Sequence, residues 1–298
     1  MNRFILVTGL SLATFLQTIA QTTIDIQAHR GGMALYPENT IVAMQNALDW
    51  GVTTLELDLS ISKDKQVLLS HEHVMDYRYI TTPEGESFSK EEENNYKLYT
   101  MTYDSIAKYD TGIKGDPRFS QRKKIHAYKP LVSDLIDEVE AYVRTNAMPL
   151  PHYNIEIKSG KRNDNVYTPE YKEFTDLALA VLLEKNISDR LTIQCFDVRT
   201  LNYMHEKYPQ IQLAYLVNKN AKDFEKAMSL LNFVPQIYSP EFVLVDKELI
   251  DAVHKKGMKI IPWTVDKIND IQRMIDLKVD GLITNYPDRA MKLVHWKQ

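Results

Sequence analysis

From residue 24 onward, short apolar or β-branched runs alternate with segments whose apolar residues recur at helical spacing. That rhythm constrains the fold more than any other feature of the chain, because strand followed by helix, repeated, is the pattern of parallel strands joined by crossover helices. Strand patterns lie at 24–28, 54–59, 67–70, 153–158, 191–195, 211–217, 236–239, 258–263 and 281–284. Helical patterns fill most of the gaps, at 39–50, 131–145, 169–185, 221–231, 246–256 and 267–277, the last placed directly after Asp266. A chain of 298 residues allows two ordinary domains or one α/β barrel of roughly 250 residues. The unbroken alternation favours a single α/β (β/α)8 TIM barrel. Nine strand patterns for eight barrel places mean that one is peripheral. The two suspects are the weak 236–239 segment and the pair joined by the link 60–66, which is too short for a helix, although an extended chain of that length could return along a barrel strand.

Two stretches depart from the rhythm. Residues 1–20 begin with Arg3, continue as an apolar run over 4–16 and end with Thr18-Ile19-Ala20, the layout of a cleaved export signal, so the folded domain is read as 21–298 and its location as secreted or periplasmic. The run is shorter than the roughly 20 residues a membrane span needs, and no stable span is expected. Residues 72–129, rich in Glu, Lys, Tyr and Thr with turn signals at Pro83-Glu84-Gly85 and Gly115-Asp116-Pro117, read as one long insertion after the third strand. It either helps to build the site, as loops following barrel strands do, or is a solvated decoration. Cys195 is the only cysteine, so no intrachain disulfide supports an exported chain, and the core must do so. The net charge is -4, with no basic cluster interleaved with aromatics, which argues against nucleic acid as a partner. Oligomeric state is not legible.

The chemistry shows first in Thr54-Leu55-Glu56-Leu57-Asp58-Leu59. Side chains on a strand alternate faces, so Glu56 and Asp58 share one side and the three leucines the other. Helices cover the outside of a parallel barrel, so the leucines belong outside and both carboxylates point into the lumen. In Asn154-Ile155-Glu156-Ile157-Lys158 the same logic turns Glu156 and Lys158 inward. Unpaired carboxylates in a low-dielectric interior cost several kcal/mol, so this pattern asks for a bound cation or a shared proton. An all-oxygen set suits one divalent cation, Mg²⁺ or Ca²⁺, better than Zn²⁺. The alternative for Glu156 is a simple ion pair with Lys158.

His29-Arg30-Gly31-Gly32 closes the first strand, at the rim that carries catalysis in barrels. His29 can act as acid or base near neutral pH, and Arg30 can grip an anionic oxygen. His71 ends the third strand pattern, so two imidazoles can flank one metal-bound group, with His73 a nearby competitor. His126, His152, His205, His254 and His295 read as structural or surface residues. Hydrolysis of a phosphodiester needs an acid, a base, and positive charge on the nonbridging oxygens, and this set supplies them, with Lys158 or Arg30 beside the metal.

At these residues the chain resembles the glycerophosphodiester phosphodiesterase family, whose motifs stand here as His29-Arg30-Gly31, Pro37-Glu38-Asn39-Thr40, Glu56-Leu57-Asp58 and His71. Further likeness lies in Lys129-Pro130-Leu131, Glu156-Ile157-Lys158, Pro262-Trp263-Thr264-Val265 and Asp280-Gly281-Leu282-Ile283-Thr284-Asn285-Tyr286-Pro287. The resemblance implies a TIM-barrel hydrolase that binds Mg²⁺ or Ca²⁺ through Glu56, Asp58 and Glu156. It implies His29 and His71 as acid and base, products that are glycerol 3-phosphate and an alcohol, and attack on phosphorus by the substrate's own neighbouring hydroxyl before water completes the reaction. Pro37-Glu38-Asn39-Thr40 reads as a helix start capped by Asn39 or Thr40, with Glu38 a secondary site residue. Trp263 is read as a wall for the apolar side of the substrate or as a core residue. The chain departs from the family at Glu72, where Asp is usual, and at Arg78-Tyr79-Ile80-Thr81-Thr82, which spreads out an expected Arg-Thr-Thr. Those departures bear on the substrate, and leave two alternatives beside a glycerophosphodiester: the same chemistry on a lysophospholipid, sphingolipid or sugar-phosphate diester, or an exported barrel that binds without turnover.

Overall fold

The computed structural model describes residues 24–296, so the export signal read over 1–20 lies outside the described residues. The strands are β1 Asp25–Ala28, β2 Thr54–Ile61, β3 Val67–Leu69, β4 His152–Ile157, β5 Leu191–Cys195, β6 Gln212–Val217, β7 Ile237–Pro240, β8 Lys259–Ile260 and β9 Gly281–Thr284. The helices are α1 Ile41–Asp49, α2 Tyr103–Ile106, α3 Val132–Thr145, α4 Tyr171–Glu184, α5 Val198–Lys207, α6 Phe224–Met228, α7 Lys247–Lys255, α8 Ile268–Leu277 and α9 Pro287–Trp296. Eight strands pair in parallel in the order β8-β7-β6-β5-β4-β2-β1-β9. Single backbone bonds bridge the remaining seam, Asp280 N to Ile260 O at 3.1 Å and Ile283 N to Pro262 O at 2.9 Å. The architecture is the expected (β/α)8 barrel.

The ninth strand pattern resolves against one of the two suspects. The 236–239 segment is no outlier: as β7 it pairs with β6 and β8 inside the barrel. The peripheral strand is β3, which pairs only with β2, and antiparallel, through Leu59↔Leu69, Ser60↔Leu68 and Ile61↔Val67. The short link therefore does not return along a barrel strand. Its geometry is a tight turn, with Ser62 N donating to Gln66 O at 3.0 Å and Lys65 at φ 62°. A link without a helix cannot carry the chain back to the start of a parallel neighbour, so a hairpin forms instead.

Strand alternation sorts the residues by face as the sequence predicts. Leu55, Leu57 and Leu59 join Tyr153, Ile155, Ile157, Ile193 and Leu282 in one large apolar shell between barrel and helices. The helices between the barrel strands lay apolar stripes on that shell; α3, for example, buries Leu135, Ile136, Val139 and Val143. Side-chain caps start several helices, with Asp223 accepting from Lys226 N and Asp246 from Leu249 N. The helix after Asp266 starts two residues on, at Ile268, with no side-chain cap, because the Asp266 carboxylate is engaged by Asn285. Residues 72–129 contain short helical turns, an isolated bridge Thr81↔Asp110, and their own buried cluster of Met75, Tyr79, Ile80, Phe88, Leu98 and Ile106. None of the helices among the described residues is long and apolar enough to cross a membrane.

Candidate active site

β2 and β4 run side by side with Asp58 opposite Glu156, so alternation on both strands brings Glu56, Asp58 and Glu156 together inside the barrel. One oxygen from each lies within 4.8 Å of the others, and all three residues are buried. Two cations border the group: Lys158 Nζ stands 3.0 Å from Glu156 and 3.6 Å from Asp58, and Arg30 Nε 3.3 Å from Asp58. The ion pair considered as the alternative for Glu156 thus exists, yet three carboxylates still outnumber two cations. Burial, then the neighbouring Asp58, pushes the Glu56 carboxyl well above the carboxylate range, and burial raises Glu156 even beside Lys158. Against the same burial, Lys158, His71 and Arg30 hold Asp58 well below it. Asp58 Oδ1 is buried with no hydrogen-bond partner. An orphaned oxygen amid excess negative charge and oxygen-only donors fits a hard divalent cation, which Glu56, Asp58 and Glu156 would hold.

The surroundings fix these carboxylates in place. Asn39 donates from Nδ2 to Asp58 Oδ2 at 2.9 Å and accepts from Asp58 N at 3.1 Å. Glu56 accepts from the Arg30 backbone N at 2.8 Å and from Gln194 Nε2 at 2.7 Å. Of the two residues read as caps for the first helix, Thr40 caps α1, accepting from Ala43 N, while Asn39 is committed to Asp58.

His29 follows β1 directly, and Arg30, Gly31 and Gly32 all have positive φ. A Cβ at Gly31 would come within 2.8 Å of Ala43 Cβ, so only glycine lets this turn lie against α1. The His29 ring meets Asn285 Oδ1 through Nδ1 at 2.6 Å, while Asn285 donates from N and Nδ2 to Asp266 at 2.9 and 2.7 Å. Because the amide nitrogen of Asn285 is committed to a carboxylate, its oxygen faces His29, Nδ1 carries the proton and Nε2 is left with a lone pair. That Nε2 is 4.0 Å from Glu56 Oε2. Burial, reinforced by Arg30, lowers the imidazole to about 3, so it is neutral at physiological pH.

His71 arrives by the hairpin. Antiparallel β3 folds back over the overhanging end of β2, Ser70 N donates to Asp58 O at 3.0 Å, and His71 lands beside the carboxylates without occupying a barrel strand. Its Nδ1 is 2.9 Å from Glu72 Oε1, and this bond draws the Glu72 carboxyl down to about 2. Lys129 Nζ donates to Ser70 Oγ, which donates to Glu72 O, so a buried cation braces the turn.

Both imidazoles line one cavity of about 100 Å³, together with Arg30, Glu56, Glu156 and Lys158. Across from them stand Phe196, Leu216, Trp263 and Ile283. Trp263 is anchored by Nε1 to Ser239 O at 2.9 Å and meets the Phe196 ring edge-on at 5.4 Å, which places it on the wall and not in the core shell. The Arg30 guanidinium is turned toward Glu38, at 2.9 Å, as well as Asp58, and Glu38 also takes Arg118 and Arg122 at 3.2 and 3.3 Å. His73 is outside the lining, held by Asn163 and stacked on Tyr167. Sequence reasoning gave no site role to Gln194, Asp266 and Phe196, nor to Asn285, although Asn285 stands in the 280–287 string that carries the resemblance. Alternation in 191–195 turns Thr192 and Gln194 inward and could have found Gln194; the partnership of Asn285 with Asp266 joins two loops and leaves no local signal.

A buried carboxylate cluster, two imidazoles and two cations at the carboxyl mouth of a (β/α)8 barrel define a phosphodiester-cleaving enzyme. More narrowly, the chain belongs to the glycerophosphoryl diester phosphodiesterase family, whose model matches residues 29–289. It is 29% identical over 270 residues to a glycerophosphodiester phosphodiesterase of Caldanaerobacter subterraneus subsp. tengcongensis, covering 90% of this chain and 96% of that protein. The crystal structure of a Silicibacter pomeroyi protein, a candidate glycerophosphoryl diester phosphodiesterase, superposes with a TM-score of 0.82 at 24% identity, covering 93% and 95% of the two chains. A phosphodiesterase of Oleispira antarctica, solved with the product sn-glycerol-3-phosphate, superposes with a TM-score of 0.72 at 16% identity, covering 91% and 96%.

Proposed function

We propose that the protein hydrolyses glycerophosphodiesters to glycerol 3-phosphate and an alcohol, with His29 and His71 as the acid–base pair and one Mg²⁺ or Ca²⁺ held by Glu56, Asp58 and Glu156. The observation that carries this reading is the meeting of two imidazoles with Glu56 and Glu156, on or next to β1, β2, β3 and β4, around a single cavity, with an Asp58 oxygen within 4.8 Å of both carboxylates. Family membership supports the reaction class, and the product named in the Oleispira antarctica complex supports the product. A bound divalent cation supplies charge neutralisation for the phosphoryl oxygens. The chain's residues do the rest. Lys158 and Arg30 add positive field beside that group. His29, kept neutral with Nε2 facing the cavity, takes the proton of the substrate's neighbouring hydroxyl as its oxygen bonds to phosphorus, and His71, braced by Glu72, gives a proton to the departing alkoxide. Water, losing a proton to His71, then opens the cyclic phosphate as His29 returns its proton to the glycerol oxygen, leaving glycerol 3-phosphate. Phe196 and Trp263 form the wall against which the uncharged part of the substrate lies.

The deciding experiment is incubation with glycerophosphocholine, read by phosphorus NMR with and without chelator. Glycerol 3-phosphate should appear, and choline phosphate should not. Choline phosphate as the product would reverse the assignment of the leaving group, turnover that persists in chelator would remove the metal, and cleavage of a lysophospholipid alone would move the substrate class.

A further inference from the structure

Beyond the catalytic cavity, the segment 72–129 forms a second concavity of about 460 Å³, lined among others by Arg78, Lys114, Asp116, Arg122 and Lys124. Its charge is one-sided. Asp116 is the only acid in the lining, and its carboxylate is fully buried and consumed by Arg118 and Arg122. In a protein of net charge -4, this hollow turns Arg78, Lys114 and Lys124 toward solvent, with Arg122 buried beneath them and the part-exposed Glu72 3.9 Å from Arg78. One of those cations carries unused capacity. The exposed Lys124 ammonium makes no hydrogen bond or ion pair among the described residues, although its stem is held in place across Gly115, where a Cβ would come within 2.7 Å of Lys124 Cε.

Arg78 brings the edge of the hollow close to the catalytic mouth. One carboxylate oxygen of Glu72 lies 2.9 Å from His71 Nδ1 and 3.9 Å from Arg78 Nη2, so Arg78 is separated from the imidazole by that single group. Arg78 is itself fixed by Asp76, with Nε 2.8 Å from Oδ1 and the other oxygen bonded through Nη2. Lys114 is steadied by Tyr77 O at 2.6 Å. A row of held cations leading away from a phosphodiester site is complementary to a second phosphoryl group on the same molecule.

We propose that this hollow binds a second phosphate carried by the substrate, so that the preferred glycerophosphodiester is one whose alcohol is itself phosphorylated. The proposal rests on the phosphodiesterase reading above and names the substrate class of that site. Glycerophosphoinositol and glycerophosphoinositol 4-phosphate differ only in the extra phosphate and form the matched pair. Wild-type kcat/KM should favour the phosphorylated member by about tenfold, the ratio corresponding to one charge-assisted hydrogen bond. The preference should vanish in Lys124→Glu and return in Lys124→Arg, a surface pair that keeps the fold. Calorimetric titration with the same two compounds in chelator reads binding without turnover and should show the same gap in Kd. Equal Kd and equal kcat/KM for the two compounds, or a preference retained in Lys124→Glu, would overturn the second site. Failure of the phosphodiesterase reading looks different: no turnover of either compound, with the Kd gap intact.

Discussion

The lumen of this barrel has two unlike halves. On the β1–β2–β4–β5 side, side chains hold one another in a directed chain: Asn154 donates to Gln27 and Gln194, Gln194 to Glu56, and Glu56 stands beside Asp58 and Glu156. On the β6–β9 side, Ala214, Ile237, Ile261 and Ile283 pack as a small apolar cluster with Trp263 resting on it. The first half is ordered by hydrogen bonds and charge, where each group has few acceptable partners. The second is ordered by contact, where volume matters more than identity. Changes to the polar half should therefore cost turnover with little loss of stability, and changes to the apolar half the reverse.

The sharpest test is removal of the cation. Chelation should abolish turnover, and addition of Mg²⁺ or Ca²⁺ should restore it; circular dichroism should show the same fold throughout. Next, His29→Ala and His71→Ala should each lower kcat by about 10² to 10⁴ while the melting temperature is kept. Equal damage from His205→Ala, whose ring stacks on Phe233 away from the cavity, would mean that the comparison picks out the wrong imidazoles. A smaller effect is expected at Asn285, which touches the chemistry only through His29. Asn285→Ala should lower kcat by roughly 10- to 100-fold, with KM nearly constant. In the apolar half, Ile237→Ala should cost about 2–5 kcal/mol in chemical denaturation and lower the melting temperature by several degrees. Its turnover below that temperature should stay within a few-fold of wild type, and a loss like that of His29→Ala would erase the distinction between the halves.

What was legible in the sequence divides along the same line. Alternation on one strand is a local property, so Leu55-Glu56-Leu57-Asp58-Leu59 announces its two faces, and the three carboxylates sit where period-two reasoning puts them. Barrel membership is not local. β7 is a weak four-residue pattern but has neighbours on both sides, whereas β3 is a strong pattern with a partner on only one. His71 stands at a strand end, as its sequence pattern predicts, but the strand folds back antiparallel, and it is the overhang of β2 that brings the ring beside the carboxylates. Asp266 looks like a helix cap until the fold brings Asn285 to it, and contacts of that kind between distant loops have no signature in either segment.

The two lumen faces come from consecutive stretches of chain: every acid, imidazole and ammonium in the cavity lies between His29 and Lys158, and the facing wall between Phe196 and Ile283. The two are nonetheless tied: Asn285, at the far edge of the second stretch, holds the His29 ring and Gln194, at its near edge, holds Glu56, so a graft of either stretch onto a related barrel must carry those two contacts with it to keep the bond-breaking groups aligned.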